Sequence, residues 1–330
     1  KNEGNLLPLN RKDLHKLAVI GELSQQVVLG DPSYIGKAKR RTVSILEGLQ
    51  EAAPDLEIVP APNDPAKAAE AARGADAAVV CVGTTLAVER EGRDRRSLGL
   101  PGAQEALVEA VQAANPHTIV VLINGGPLTI PWIKEHTPAI LVAWWSGEEQ
   151  GSAVAEVIFG DVNPGGRLPY TVYASEAQVP PQDEYDISKG FTYMYLRGAP
   201  LFPFGHGLSY TAFRYDALKL SASQLAASQT MQVSLQVANT GQRAGDEVVQ
   251  LYTRLTGPTK VPRPAKELRG FVRVSLAPGE KRSVTLSVPF EKLAYWDEAS
   301  HGFRVEPGAY EIMLGASSED VRLRTGFTVE

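Results

Sequence analysis

The sequence has almost no cysteine. Cys81 is the only one in 330 residues, and it lies in the apolar run 77–82. A single cysteine forms no disulfide within the chain and no cysteine-based metal cluster, so we interpret it as a small core residue. Cysteine usage is compatible with any compartment, and we favour a periplasmic or secreted location over a cytoplasmic one.

Long apolar runs and an excess of positive charge are also missing. No run is long enough to cross a bilayer as a helix, and the formal net charge of -5 gives no field that attracts polyanions. We therefore expect neither a membrane nor a nucleic acid as a partner. The remaining composition, 43% hydrophobic and 22% charged, is typical of a globular protein, and 330 residues predict two domains.

Several catalytic and ligand-binding motifs are absent as well. The five histidines show no paired spacing, and no Gly-x-Ser-x-Gly or Walker pattern occurs, so a serine hydrolase, a metal site and a nucleotide site are all poorly supported. The turn Gly125-Gly126-Pro127 suggests phosphate binding only weakly, because Pro127 has no amide proton to donate. We expect no metal and no cofactor.

The first half of the chain alternates short apolar runs with helix-like stretches, which predicts an open α/β sandwich with a mostly parallel sheet. The predicted strands are 17–20, 77–82, 118–122 and 139–143. The predicted helices are 41–52, 65–73, 102–114 and 149–160.

The second half has alternating apolar and polar positions between turn-forming clusters, which predicts an all-β sandwich of the immunoglobulin or fibronectin type III kind. The predicted strands include 231–238, 248–253, 282–288 and 310–314. The residues between the two halves are rich in proline and glycine but also in aromatic residues, so we expect an ordered connector. The predicted domains are 1–160 and 213–330, with the connector at 161–212.

The most polar interruption of the α/β half is residues 88–96, which follow the second predicted strand. Open α/β sheets bind their ligands at the carboxyl ends of strands, so a carboxylate here could lie beside an arginine in a binding cleft. The alternative is a solvated surface loop whose charges pair with one another, and composition alone favours that alternative.

Six parts of the sequence resemble glycoside hydrolase family 3, in that family's order along nearly the whole chain. The matching segments are 1–9 (KNEGNLLPL), 91–95 with 98–104 (EGRDR, LGLPGAQ), 147–151 (GEEQG), 159–169 (FGDVNPGGRLP), 202–210 (FPFGHGLSY) and 264–271 (PAKELRGF). The resemblance implies a retaining, exo-acting β-glucosidase or β-xylosidase that hydrolyses terminal β-linked sugars of oligosaccharides or glycosides.

In that family the nucleophile is an aspartate of an N-terminal TIM-like barrel, which this chain lacks. Since the sequence starts at Lys1 rather than at methionine, we expect its true start to be missing. The barrel is then the expected partner, either in the same precursor or as a separate chain, and the present chain alone is expected to be inactive.

The resemblance also implies residue roles in the polar loop. Glu91, directly before Gly92, matches the family's general acid/base, and Glu89 is its rival. Glu89 and Arg93 are candidates for contact with the outer sugar, whereas Asp94 and Arg95 are expected to form a local ion pair.

Two hypotheses about the whole chain remain at this point. The chain is part of an active glycosidase, which predicts exposed apolar surface around Glu91 where a barrel would dock. Alternatively, it is a non-catalytic carbohydrate-binding or scaffold protein that retains the fold, which predicts a polar surface there.

Overall fold

The computed structural model describes residues 1–29, 41–259 and 261–330. They form two compact units. The first contains residues 1–162 and 174–176, and the second contains residues 163–173 and 177–330. The separate connector at 161–212 stays a prediction, and most of that segment clusters with the second unit.

The first unit is built on a five-stranded parallel sheet in the order β2-β1-β3-β4-β5. Strands β3 and β4 are buried along their whole length, which explains their unbroken apolar sequences. The predicted parallel sheet is therefore confirmed. The strands are β1 (Lys16–Ile20), β2 (Glu57–Ala61), β3 (Ala77–Gly83), β4 (Thr118–Ile123) and β5 (Ala139–Val142).

Helices cover both faces of this sheet. Strand β2 lies on one side of β1 in the sheet, and β3, β4 and β5 follow one another on the other side. Because crossovers between parallel strands are right-handed, α1 lies on one face of the sheet and α2, α3 and α4 lie on the other face. Contacts between α1 and α5, and among α2, α3 and α4, agree with that division. The helices are α1 (Ile45–Ala52), α2 (Pro65–Arg73), α3 (Gln104–Ala114), α4 (Pro131–His136) and α5 (Gln150–Phe159), with 3-10 turns at Glu3–Asn5, Arg11–Asp13 and Glu22–Ser24.

The second unit is a β-sandwich. One sheet has the order β10-β9-β14-β15-β7, the other has the order β11-β8-β6, and β12 and β13 form a separate hairpin. Apolar side chains of both sheets share one buried core. The predicted all-β sandwich is confirmed. Its strands are β6 (Phe213–Leu220), β7 (Gln224–Leu225), β8 (Thr230–Asn239), β9 (Gly245–Leu255), β10 (Glu267–Leu276), β11 (Lys281–Pro289), β12 (Tyr295–Asp297), β13 (Gly302–Arg304), β14 (Gly308–Gly315) and β15 (Val321–Val329).

The segment before the sandwich strands belongs mainly to the second unit and contains little regular structure. It includes the short helix α6 (Thr192–Tyr195) and 3-10 turns at Glu176–Gln178 and Ile187–Lys189, and a further 3-10 turn lies at Phe290–Leu293. Across the described residues, no helix combines the length and the apolar character needed to cross a membrane. Within the same ranges, no group of three or more His, Cys, Asp or Glu side chains could hold a metal ion.

Candidate functional site

The polar loop lies at the carboxyl end of the sheet, between β3 and α3. Its start and its end are tied together by Gln104, the first residue of α3. The Gln104 side chain accepts a hydrogen bond from the Gly83 amide at 2.6 Å and donates one to the Gly83 carbonyl at 3.0 Å. The end of β3 and the start of α3, between which the loop runs, are therefore held side by side.

Glu89 lies at the base of the loop, and its carboxylate is saturated by internal contacts. Oε1 accepts hydrogen bonds from the Thr84 hydroxyl at 2.5 Å, from the Gly125 amide at 3.0 Å and from the Gly126 amide at 3.1 Å. The side chain is only 13% exposed. The turn Gly125-Gly126-Pro127, which its sequence suggested only weakly as a phosphate site, thus binds the Glu89 carboxylate through two backbone amides.

The pKa of Glu89 follows from these contacts. Burial by itself raises the pKa of the carboxyl, but the hydrogen bonds from Thr84, Gly126 and Gly125, together with the Arg95 charge, outweigh burial and lower it. Glu89 is consequently harder to protonate than an ordinary glutamate, which makes it a poor proton donor.

Arg95 completes this arrangement from the other end of the loop. Its Nε lies 2.8 Å from Oε2 of Glu89, and its Nη2 donates to the Pro127 carbonyl at 2.7 Å. The predicted ion pair between Asp94 and Arg95 is therefore wrong. Asp94 is exposed, whereas the Arg95 side chain turns inward and is only 10% exposed.

Glu91 lies at the tip of the loop. The backbone of Arg90 and Arg93 forms a two-way bridge, with N–H to O=C distances of 3.2 and 2.9 Å, so Glu91 and Gly92 are the central residues of a tight turn. Gly92 has φ +73°, a conformation that a side chain makes costly. The side chains of Arg90, Glu91 and Arg93 are all exposed.

A second anchor holds the loop further along. The Glu176 carboxylate accepts hydrogen bonds from the Ser97 hydroxyl at 2.6 Å and from the Leu98 amide at 2.7 Å, which lower its pKa. The Leu98 carbonyl accepts one from the Thr129 amide at 2.8 Å. Residues 90–94 are thus the part of the loop that projects, since the residues on either side are fastened.

Sequence reasoning missed Thr84 and did not connect Gly125 and Trp145 with the polar loop, although these residues build the base of this site. Thr84, Gly125 and Trp145 directly follow β3, β4 and β5 or lie two or three residues beyond them, where ligand-binding residues of parallel sheets collect. The Trp145 indole donates to the Thr84 carbonyl at 3.0 Å, and its ring packs closely on Gly125, where an ideal Cβ would lie 3.0 Å from it. Position after a strand was the signal that could have identified them.

The exposed apolar surface expected around Glu91 stays a prediction, and the most exposed side chains do not supply it. Among the large hydrophobic side chains in the described part of the first unit, Val162 is the exposed one, and it lies outside the loop. Around Glu91 the exposed side chains are charged, because this stretch of sequence is almost entirely ionisable. A protein partner at this face would meet a polar surface, which transient and intramolecular interfaces tolerate.

Comparison with known proteins gives the context of this loop. Residues 1–210 match the model of the glycosyl hydrolase family 3 C-terminal domain, and residues 247–318 match a fibronectin type III-like domain. A β-xylosidase of Formosa agariphila is 40% identical over 98% of this chain and 47% of its own length. A β-glucosidase of Rhizobium radiobacter is 40% identical over 78% of this chain and 33% of its own length.

The chain therefore spans half or less of the length of these curated relatives. Solved structures agree with the sequence matches. A β-glucosidase from Erythrobacter marinus is 35% identical with a TM-score of 0.88, covering 100% of this chain and 48% of its own. A family 3 β-glucosidase from Bifidobacterium adolescentis is 32% identical with a TM-score of 0.89, covering 100% and 51%. This chain belongs to glycosyl hydrolase family 3.

Proposed function

We propose that this chain supplies the general acid/base, Glu91, to a retaining, exo-acting β-glycosidase that hydrolyses terminal β-linked glucose or xylose. The nucleophile is an aspartate on an N-terminal barrel, in the same precursor or in a separate chain. The observation that carries the proposal is the position of Glu91, exposed at the tip of a projecting turn on a fastened loop. Relatives named β-xylosidase and β-glucosidase support the substrate class.

The chemistry needs two carboxyl groups about 5 Å apart. The aspartate of the barrel attacks the anomeric carbon while the bond from that carbon to the leaving oxygen breaks, and the protonated Glu91 gives its proton to that oxygen. In the second step the ionised Glu91 takes a proton from water, whose oxygen attacks the anomeric carbon and releases the aspartate. The same carboxyl must therefore alternate between both protonation states.

The surroundings of the two candidate glutamates favour Glu91 for this role. The Glu89 carboxylate is held by Thr84, Gly125 and Arg95 and is only 13% exposed, and its lowered pKa disfavours protonation, so it is poorly placed to give a proton to a sugar. Glu89 as a substrate ligand therefore finds no support in its contacts. Arg93, exposed in the same turn as Glu91, stays our candidate for a contact with the sugar.

The decisive test is a fusion protein in which this chain follows the N-terminal part of the Formosa agariphila β-xylosidase, replacing the 47% of that protein that it matches. Hydrolysis of p-nitrophenyl β-glucoside and β-xyloside is measured for the fusion, for its Glu91→Ala variant and for the chain alone. We expect activity in the fusion, none in the chain alone, and a loss of about 10²- to 10⁴-fold in Glu91→Ala.

Azide separates loss of the acid/base from loss of the fold. In Glu91→Ala, azide should attack the glycosyl-enzyme in place of activated water, restoring turnover and giving a β-glycosyl azide. Glu109→Ala, an exposed glutamate of α3, is the matched control and should keep full activity. A fully active Glu91→Ala variant would show that the residue assignment is wrong. A folded fusion that hydrolyses neither substrate would favour the non-catalytic carbohydrate-binding or scaffold alternative.

A further inference from the structure

The buried ion pair of Glu89 and Arg95 closes the projecting part of the loop. These two side chains lie on either side of the five-residue segment 90–94, and they are 13% and 10% exposed. Their 2.8 Å contact brings the two ends of the segment together at its base. We call this pair the clasp.

The clasp is also fixed to the rest of the sheet. Glu89 is bound by the Gly125 and Gly126 amides, and Arg95 donates to the Pro127 carbonyl, so both partners are held by the turn after β4. A side chain at either glycine would crowd the pair, and at Gly126 it would require Arg95 to shift. A Cβ at Gly126 would lie 2.9 Å from Nη2 of Arg95 and 3.1 Å from Oε2 of Glu89.

The clasp is poorly explained as a device for stability. Burying two charges costs solvation that their attraction often fails to repay, and well-packed apolar residues usually stabilise a fold at least as well. Nη1 of Arg95 is buried and has no hydrogen-bond partner in the described part of the chain, which adds a further cost. Such a costly pair at the base of one loop indicates a role in that loop.

We propose that Glu89 and Arg95 are positioning residues that hold the turn bearing Glu91 in its reactive place. The inference rests on the proposed function of Glu91. A proton donor must stand within hydrogen-bond reach of the leaving oxygen, and a displacement of about 1 Å can cost about 100-fold in rate. With both ends of the segment fastened and Arg90 bridged to Arg93, the clasp restrains the turn, and its opening would free the turn to move.

The kinetic test uses the fusion protein with Glu89→Gln and Arg95→Met, each alone and combined with Glu91→Ala. Methyl β-xyloside needs proton donation to its leaving group, whereas 2,4-dinitrophenyl β-xyloside needs little. We expect either variant to lower kcat on the methyl glycoside by about 10- to 100-fold, with a smaller change in KM and a smaller loss on the dinitrophenyl glycoside. In the Glu91→Ala background neither variant should cause a further loss.

That last comparison separates positioning from the other roles of these residues. A loss that persists undiminished in the Glu91→Ala background would mean that Glu89 acts on the substrate or on folding, and would overturn the inference. Asp161→Asn is the matched control, because it breaks the ion pair of Arg11 and Asp161 in the same unit, away from the loop. It should leave the ratio of the two substrates unchanged.

A second measurement tests the clasp independently of catalysis. In the full chain, amide hydrogen exchange is followed at Arg90 and Arg93, whose backbones hydrogen bond to each other. Glu89→Gln should speed exchange at both amides by about tenfold and leave the amides of β3 and β4 unchanged. Unchanged exchange at Arg90 and Arg93 would overturn the inference. If exchange at Arg90 and Arg93 rises while the Glu91→Ala fusion stays active, the clasp does restrain the turn, but Glu91 is not the acid/base.

Discussion

At the scale of single residues, two glutamates two positions apart have opposite surroundings. Glu89 is bound by a hydroxyl, two amides and an arginine, whereas Glu91 is exposed at the tip of a turn. Their sequence context, Glu-Arg-Glu, does not separate them, because the contacts of Glu89 come from residues that follow two different strands, β3 and β4. The roles are therefore assigned by the sheet rather than by the loop sequence.

The lowered pKa of Glu89 predicts a pH-dependent contribution to stability. Because this pKa is lower in the folded chain than in the unfolded one, the stabilisation is fully present above the unfolded value of about 4.3 and is lost as the pH falls through the folded value. The free energy of unfolding in urea should fall in Glu89→Gln at pH 7, and the difference from the unmodified chain should shrink at pH 3.5.

Glu109→Gln controls for the loss of one formal charge, since Glu109 is exposed in the same unit. A difference between Glu89→Gln and the unmodified chain that stays constant between pH 7 and pH 3.5 would contradict the prediction. It would mean that the side chain stabilises the fold through its shape and hydrogen bonds rather than through its charge.

At the scale of elements, the predicted strands of the first unit are continuous apolar runs, and most of their residues are buried. Strand β2 was missed because it pairs only with β1 at the edge of the sheet, contains Pro60 and is half exposed, so its sequence is not a continuous apolar run. Helix α4, six residues long, was missed as well. The predicted start of α1 at residue 41 is four residues early. Ser44 is the N-cap, and its capping box with Glu47 sets the first helical residue at Ile45.

The sequence predicted only part of the candidate site as well. The polarity of residues 88–96 gave the loop, and the resemblance to glycoside hydrolase family 3 gave Glu91, because both are read from contiguous sequence. The clasp is held by contacts with the turn after β4, between residues more than 30 positions apart, such as Glu89 with Gly126 and Arg95 with Pro127. Such contacts follow only once the strand order is known.

Helices α1 and α5 make a contact that requires glycine on both sides. An ideal Cβ at Gly151 would lie 1.9 Å from the Ser44 carbonyl oxygen, and one at Gly48 would lie 2.2 Å from the Gly151 carbonyl. Because the obstructing atoms are backbone, the helices must separate to admit a methyl group. We expect Gly151→Ala to lower the free energy of unfolding by about 3 kcal/mol, at the upper end of overpacking costs.

The matched control for this contact is Gly74→Ala. Gly74 ends α2 with an ordinary negative φ, and a Cβ there meets no atom within 4 Å. Urea denaturation of both variants gives the comparison. A loss in Gly151→Ala no greater than that in Gly74→Ala would show that α1 and α5 can separate at little cost, so that the close approach is not needed for stability.

At the scale of the whole molecule, the two units use buried charge differently. In the first unit a buried ion pair lies under an exposed charged loop, for which we propose a catalytic role. In the second unit Glu247 is 1% exposed at the start of β9 and pairs with Arg167 at 2.8 Å and Arg322 at 3.3 Å. Arg167 also donates to the carbonyls of Gly165 and Gly166, so this pair fastens the segment 163–173 to the sandwich.

This difference predicts that breaking the pair in the second unit affects stability. Removing Arg167 leaves the buried carboxylate of Glu247 with Arg322 as its remaining cation, and breaking a buried pair costs about 3–5 kcal/mol. We expect Arg167→Met to lower the free energy of unfolding of the full chain by about 3 kcal/mol in urea denaturation. Arg214→Met, which breaks an exposed pair with Asp216 in the same unit, should cost less than about 1 kcal/mol. Equal losses in the two variants would mean that the segment 163–173 is held by its other contacts, and that the buried pair contributes no more than a surface one.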